Sequence, residues 1–284
     1  MKGFKNIGNT CYLNSGLQMI VQNEALCQLI NKYHKHSEIL TKINNFIDEY
    51  YDSSKKEVII PKEIKKIVEE KKALFEGYDQ QDSTEFIIYL LDIIDEEIKK
   101  IHPESRGIQS LFGIKFNSRI KCKLRDCLKL YNTYEDNNFL LLDINSNSTS
   151  LDDAYHNFKS GVKLDSDNKY FCENCQLKRN ASKRSTIVSW PQCLFIWLKR
   201  FKQNRTNISK NDQELDIPLK WRHNNYLQGA VIHYGSLHGG HYVYVGKNNN
   251  RWFLYNDSSV SEISNELELK NLLAKAYWLC YKSF

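Results

Sequence analysis

A chain of 284 residues with 40 Lys and Arg against 34 Asp and Glu has a formal net charge of +6, and 41% of its residues are hydrophobic. That is the balance of a globular protein long enough to bury a sizeable core. No apolar run approaches the ~20 residues a membrane helix needs. The opening Met1-Lys-Gly-Phe-Lys-Asn lacks the apolar stretch of a secretory signal. The positive balance reads as a lysine-rich solvated surface, not as a nucleic-acid or lipid footprint. Eight cysteines without a signal then read as thiols, ligands or a nucleophile in a reducing compartment, cytoplasmic or nuclear.

Helices are predicted over the first hundred residues. One begins near Cys11, with Leu13, Leu17, Ile20 and Val21 on one face. Ser37 caps a second that carries Ile39, Leu40, Ile43, Phe46, Ile47 and Tyr50. Pro61 suits the first turn of a third, with Ile64, Ile67 and Val68 on one side. From Gln80 to Ile101 a broad apolar stripe of Phe86, Ile87, Leu90, Leu91, Ile94 and Ile98 predicts a well-buried helix.

From Ser110 the pattern changes to strands. Phe112, Ile114 and Phe116 alternate with other residues, and Phe139–Ile144 is a short apolar run. Ser150 and Asp153 predict a capped helix ending near Gly161. Further strands are predicted at 185–189, 193–201, 229–234, 241–245, 252–255 and 277–282. Polar turns or loops are expected at 202–211, which should be mobile, and at 247–250. With four prolines, twelve glycines and no internal repeat, the chain reads as a helical lobe followed by a largely antiparallel β lobe.

Cys11 follows the tight-loop sequence Gly8-Asn-Thr and stands where the helical pattern starts. A thiol there feels the positive end of the helix dipole and unpaired amides, which favour thiolate. A buried structural cysteine is the plain alternative. Far downstream, His241 lies in Gly239-Gly-His-Tyr-Val-Tyr-Val, and Trp252-Phe-Leu-Tyr-Asn-Asp-Ser258 ends in residues able to orient an imidazole. A thiol, a base and an acceptor for the base's second nitrogen are what a cysteine protease requires.

These segments resemble the cysteine and histidine boxes of the ubiquitin-specific protease family. Gly77-Tyr-Asp-Gln-Gln-Asp82-Ser-Thr-Glu85-Phe86 is similar to its intervening box, so the resemblance runs from Gly3 to about Tyr281. It implies an α+β fold, a papain-like core extended into a helical thumb (about 1–108), fingers and the start of the palm (about 109–200) and the rest of the palm (about 201–284), all one domain. It implies a deubiquitinase acting on ubiquitin and ubiquitinated proteins as a monomer, without nucleic acid or membrane. Cys11 corresponds to the nucleophile, His241 to the base, Asn256 to the third triad member and Asn6 to the side-chain oxyanion donor. Asp82 corresponds to a contact for ubiquitin's basic Leu-Arg-Leu-Arg-Gly-Gly tail, with Gln80 and Tyr242 beside it and Asp257 as a supporting carboxylate near the substrate. Asp82 also fits a plain helix-start carboxylate. The family often has Gln where this chain has Thr84.

Cys122 and Cys127, with Cys172 and Cys175, make two close cysteine pairs with 44 residues between them, which suits a structural, non-catalytic zinc. The first pair has four intervening residues where the family's finger normally has two. The alternatives are a metal-free finger held by strand pairing, or a disulfide. Cys27, Cys193 and Cys280 sit in apolar contexts and read as core. Rival functions are a catalytically weak ubiquitin-binding module, a protease for another ubiquitin-like modifier, a zinc-ribbon nucleic-acid binder and a general papain-like peptidase. The binding module would normally lack the nucleophile or histidine. The ribbon leaves the Cys11 and His241 segments unexplained.

Overall fold

The structure, a computed structural model, describes residues 1–54, 57–127, 129–203, 208–236 and 239–283. The N-terminal region holds helices α1 (Cys11–Val21), α2 (Glu24–Tyr33), α3 (Glu38–Tyr51), α4 (Lys62–Lys71) and α5 (Ser83–Ile101). Side-chain caps set their starts: Asn23 Oδ1 accepts from the Leu26 amide, Ser37 Oγ from that of Leu40, and Asp82 Oδ1 from that of Thr84. Pro61 takes the N-cap position of α4, just before the first turn. The expected one-sided burial of α1 is corrected: every residue of this helix is buried. It is wedged between α5 and the strands Gly239–Asn248 and Arg251–Asn256. Its polar residues find partners inside, Gln18 with the Lys2 carbonyl and Ser15 with Ser83.

Beyond the short helix α6 (Gln109–Phe112), which takes Phe112 out of its predicted strand, the chain is mostly β, with α7 (Leu151–Ser160) and α8 (Glu266–Leu273) packed on the sheet. The main sheet runs Ser259–Ile263, Arg251–Asn256, Gly239–Asn248, Asn225–Ser236, Ala276–Ser283, Cys193–Lys199, Leu140–Asp143. All these neighbours are antiparallel except the last pair, which is parallel. A second antiparallel sheet orders Leu130–Asn137, Ile114–Cys122, Ala181–Ser189 and Val162–Leu164. Ser150 and Asp153 form a reciprocal capping box, and Gly161 ends α7 at φ +79°. Asn249 and Asn250 turn between strands at φ +46° and +62°. In the expected loop at 202–211, Phe201–Gln203 pairs with Ile208–Lys210, and 204–207 lie outside the described residues. Among the described residues no helix is long and apolar enough to cross a membrane.

One hydrophobic core fills the space between the helices and one face of the main sheet; a second lies behind that sheet, under α7 and α8. Phe86 of α5 centres the first, with its ring 6.0 Å from Tyr12 and 6.2 Å from Phe75. A Cβ on Gly16 would come within 2.7 Å of it, so α1 and α5 meet at a glycine-width separation. Phe86→Ala should cost about 3–5 kcal/mol in denaturant unfolding; an unchanged midpoint would contradict this packing.

Candidate active site

Cys11 is the first residue of α1, and the loop before it wraps around Asn6. The Asn6 Oδ1 accepts from the amides of Gly8 and Thr10, both at 3.1 Å, and from the Thr10 hydroxyl at 3.3 Å. Gly8 at φ +117° and Asn9 at φ +51° make the turn. A Cβ on Gly8 would lie 2.4 Å from the Tyr78 ring, so glycine is required there twice over. The thiol is buried, 4% exposed. That burial pushes its pKa up and the Asp257 carboxylate adds to the effect, while backbone N–H groups of Tyr242 and Tyr12 oppose them. At neutral pH the resting group is therefore the thiol, and reaction needs a base.

The residue before Tyr242, whose N–H reaches that thiol, is His241. His241 Nε2 is 2.7 Å from Asn256 Oδ1. The Tyr244–Tyr255 pairing holds the two on neighbouring strands. With a carbonyl oxygen as its partner, Nε2 carries the proton, and Nδ1 is the basic nitrogen. A Cβ on Gly240 would meet His233 Nε2 at 2.1 Å, which explains the glycine before His241. His233 is buried, and burial followed by the Lys210 charge drives its pKa down to about 4.

Asp257 sits at φ +51° directly after Asn256. Its Oδ1 accepts from Asn14 Nδ2 at 2.7 Å, and its Oδ2 from Asn6 Nδ2 at 2.9 Å. Its carbonyl accepts from the Phe4 amide, and Gly3 is pressed against Ser258 so closely that a Cβ would fall 2.4 Å from the Ser258 oxygen. The carboxylate thus faces the Asn6 loop and α1, and fixes one N–H of the Asn6 amide.

A cleft of about 590 Å³ has Gln80, Asp82, Glu85, Phe201, Tyr242 and Tyr277 among its lining residues. Asp82 both caps and lines: Oδ1 holds the Thr84 amide, Oδ2 accepts from the Tyr277 hydroxyl at 2.7 Å, and burial raises its pKa against these bonds. Gln80 Oε1 accepts from the Gly240 amide at 3.0 Å, tying the α5 approach to the histidine strand. Thr84 points into the core, where its hydroxyl accepts from Trp278 Nε1 at 2.8 Å. Glu85, exposed on the cleft wall, was not foreseen as a groove residue. Its three-residue spacing from Asp82 was the available signal.

At the end of the second sheet, the sulfurs of Cys122, Cys127, Cys172 and Cys175 all lie within 4.8 Å of one another. The four fit a zinc ion: Cys127 and Cys172 sulfurs are 3.7 Å apart, close to the edge of a tetrahedron with Zn–S of about 2.3 Å. The wider Cys122–Cys127 loop still delivers both sulfurs. Tyr131 places its hydroxyl 3.6 Å from Cys172 and accepts from the Asn174 amide. Against the desolvation of the site, the Tyr131 hydroxyl and the Cys175 amide and thiol lower the Cys172 pKa, while the same close approach raises those of Cys122 and Cys175. All eight cysteines are free thiols. Cys193 and Cys280 are buried beside Asn23, and Cys27 is half-buried.

A thiol at the start of a helix in an α+β fold, reached by the N–H of the residue after a histidine, is the arrangement a cysteine hydrolase would use. The ubiquitin carboxyl-terminal hydrolase family model matches residues 2–281, and the chain belongs to that family. It is 29% identical over 309 residues to "Probable ubiquitin carboxyl-terminal hydrolase 16" of Schizosaccharomyces pombe, covering 99% of this chain and 66% of that protein. It is 26% identical to ubiquitin carboxyl-terminal hydrolase 4 of Saccharomyces cerevisiae, covering 98% of this chain and 39% of that one. The chain thus spans less than two thirds of the length of these relatives. Among solved structures, the SAGA DUB module containing Ubp8, bound to monoubiquitin, matches with a TM-score of 0.82 at 24% identity. That match covers 99% of this chain and 69% of the other, and it supports the α+β fold.

Proposed function

We propose that this chain hydrolyses the isopeptide or peptide bond after the C-terminal glycine of ubiquitin, by a Cys11–His241–Asn256 triad. The observation that carries the reading is the His241–Asn256 pair, together with the next residue, Tyr242, whose N–H reaches the Cys11 thiol and which lines the cleft that holds Asp82 and Glu85. His241 Nδ1 takes the thiol proton as sulfur attacks the glycine carbonyl, and hands it to the departing lysine amine as the thioester forms. Water, deprotonated by the same nitrogen, then releases ubiquitin and restores the thiol. Asn256 keeps the imidazole in the required tautomer. The second N–H of the Asn6 amide and the N–H of Cys11 are the donors for the oxyanion. Asp257 positions the first of them.

Asp82 and Glu85 suit the two arginines of the ubiquitin tail, while Gln80 and Tyr242 narrow the path to the thiol. We read residues 1–108 as thumb, 109–200 as fingers and the start of the palm, and 201–284 as palm. Zinc ties the finger tips, since four thiolates leave no open position for chemistry. The enzyme works as a monomer on ubiquitinated proteins in the cytoplasm or nucleus, where its free thiols persist, without nucleic acid or membrane.

Purified enzyme should release ubiquitin ending in a free Gly-Gly carboxylate from a lysine-linked conjugate. Release from another ubiquitin-like modifier with ubiquitin untouched would contradict the assignment. Asn6→Ala should lower kcat by about 10²–10³ with a smaller change in KM; a loss confined to KM would place Asn6 in binding instead.

A further inference from the structure

Tyr78 packs against the loop that leads into Cys11 and is 71% exposed. It is nevertheless held in place. Its carbonyl accepts from Asn9 Nδ2 at 2.8 Å, and its ring rests on Gly8, where no Cβ fits. Just upstream, the buried ammonium of Lys65 donates to the carbonyls of Phe75 at 2.5 Å and Gly77 at 3.0 Å, and it pairs with Glu69. A buried cation thus anchors the segment that carries an exposed ring. Isolated exposed aromatics are common and need no explanation, but one fixed by a glycine contact and a buried lysine is pre-organised for a contact.

The position says what would make that contact. The carboxylate-lined cleft includes Gln80 and Asp82, whereas Tyr78 is not among its lining residues and instead touches the nucleophile loop. Gly8 and Asn9 stand three and two residues before Cys11, so Tyr78 borders the nucleophile loop at residues that the cleft lining does not include, and that leaves it for the leaving group of a peptide bound in the cleft. In sequence Glu76 and Asp79 stand two residues before Tyr78 and one after it, both exposed and without an ion pair among the described residues. An exposed, anchored aromatic with exposed carboxylates on the same short segment suits the alkyl stem and positive charge of lysine.

We propose that Tyr78, with Glu76 and Asp79, forms the acceptor-side platform that receives the lysine from which ubiquitin is cut. This rests on the deubiquitinase reading above and adds the side of the substrate that the cleft does not contact. Tyr78 then sets which leaving groups are used well, while the tail cleft sets which modifier is.

The test compares two substrates within each variant, so that a change in the folded fraction cancels. One is ubiquitin joined by an isopeptide bond to a lysine peptide. The other is a ubiquitin C-terminal thioester of a small anionic thiol, which has no lysine. In Tyr78→Ala the ratio of kcat/KM, lysine conjugate over thioester, should fall about tenfold or more, the scale of a lost cation–aromatic contact. Tyr78→Phe, which keeps the ring, should hold the ratio within about twofold of wild type. An unchanged ratio in Tyr78→Ala, or an equal fall in Tyr78→Phe, overturns the platform. A wild-type enzyme inert toward both substrates would instead overturn the deubiquitinase reading itself.

Discussion

His241→Ala is expected to lower kcat/KM on ubiquitin conjugates by about 10⁴-fold or more, the scale of losing the base from a nucleophilic triad. The Cys11 thiol explains the size. Burial, and then the Asp257 carboxylate, hold its pKa above the ordinary cysteine range, so without the imidazole little thiolate exists at neutral pH. The sign of the pH dependence follows. A raised thiol pKa keeps the proton on at neutrality, and reactivity in His241→Ala should climb with pH until it passes the thiol's own pKa. Alkylation of Cys11 by a small electrophile, followed by mass spectrometry across pH, measures this directly. A His241→Ala protein that alkylates at neutral pH as fast as wild type would show that the helix terminus alone ionises the thiol.

Removing the zinc ligands is expected to have the largest effect on stability. Cys172→Ser should lose one equivalent of zinc per chain in native mass spectrometry. If the ion contributes even about 4 kcal/mol at working zinc concentrations, the melting temperature falls by roughly 8–16 °C. Chelation of the wild type should reproduce the shift, and added zinc should reverse it. Because four thiolates saturate the ion, alkylation of Cys11 should survive chelation better than cleavage of a ubiquitin conjugate does. Full-strength cleavage and an unchanged melting temperature in a zinc-free protein would contradict the site.

The Cys11 and His241 segments were legible because each couples a backbone requirement to a reactive side chain. Gly8 and Gly240 are forced by contacts with Tyr78 and His233, and those glycines are what made Cys11 and His241 stand out from ordinary core residues. The strongly apolar α5 was readable from periodicity, and its cap from Asp82. The all-round burial of α1 was not. Asn14, Ser15 and Gln18 look like a solvent face, yet all three are buried, and Asn14 Nδ2, the Ser15 hydroxyl and Gln18 Nε2 find partners inside the protein.

The α2 helix escaped notice because only Leu26, Ile30 and Tyr33 of its ten residues are buried. The strand Leu130–Asn137 escaped because it exposes nearly every residue on both faces, with no alternation to read. The Asn6 and Asn14 partners of Asp257, which the sequence offered only as a supporting carboxylate, were out of reach for another reason. Asp257 joins Asn6 and Asn14 across separations of 251 and 243 residues, and only the folded interlock of Gly3 with Ser258 brings them together. The same holds for Gln80 and Gly240, 160 residues apart.

The central claim is that Cys11 is a nucleophile presented to the C-terminus of ubiquitin. Ubiquitin bearing a C-terminal electrophile, incubated with the protein and mapped by peptide mass spectrometry, tests it most directly. The account predicts one covalent adduct per chain, located at Cys11 and absent in Cys11→Ala, with none formed when the electrophile is carried on an unrelated modifier. An adduct at any other cysteine, or one that persists in Cys11→Ala, would contradict it.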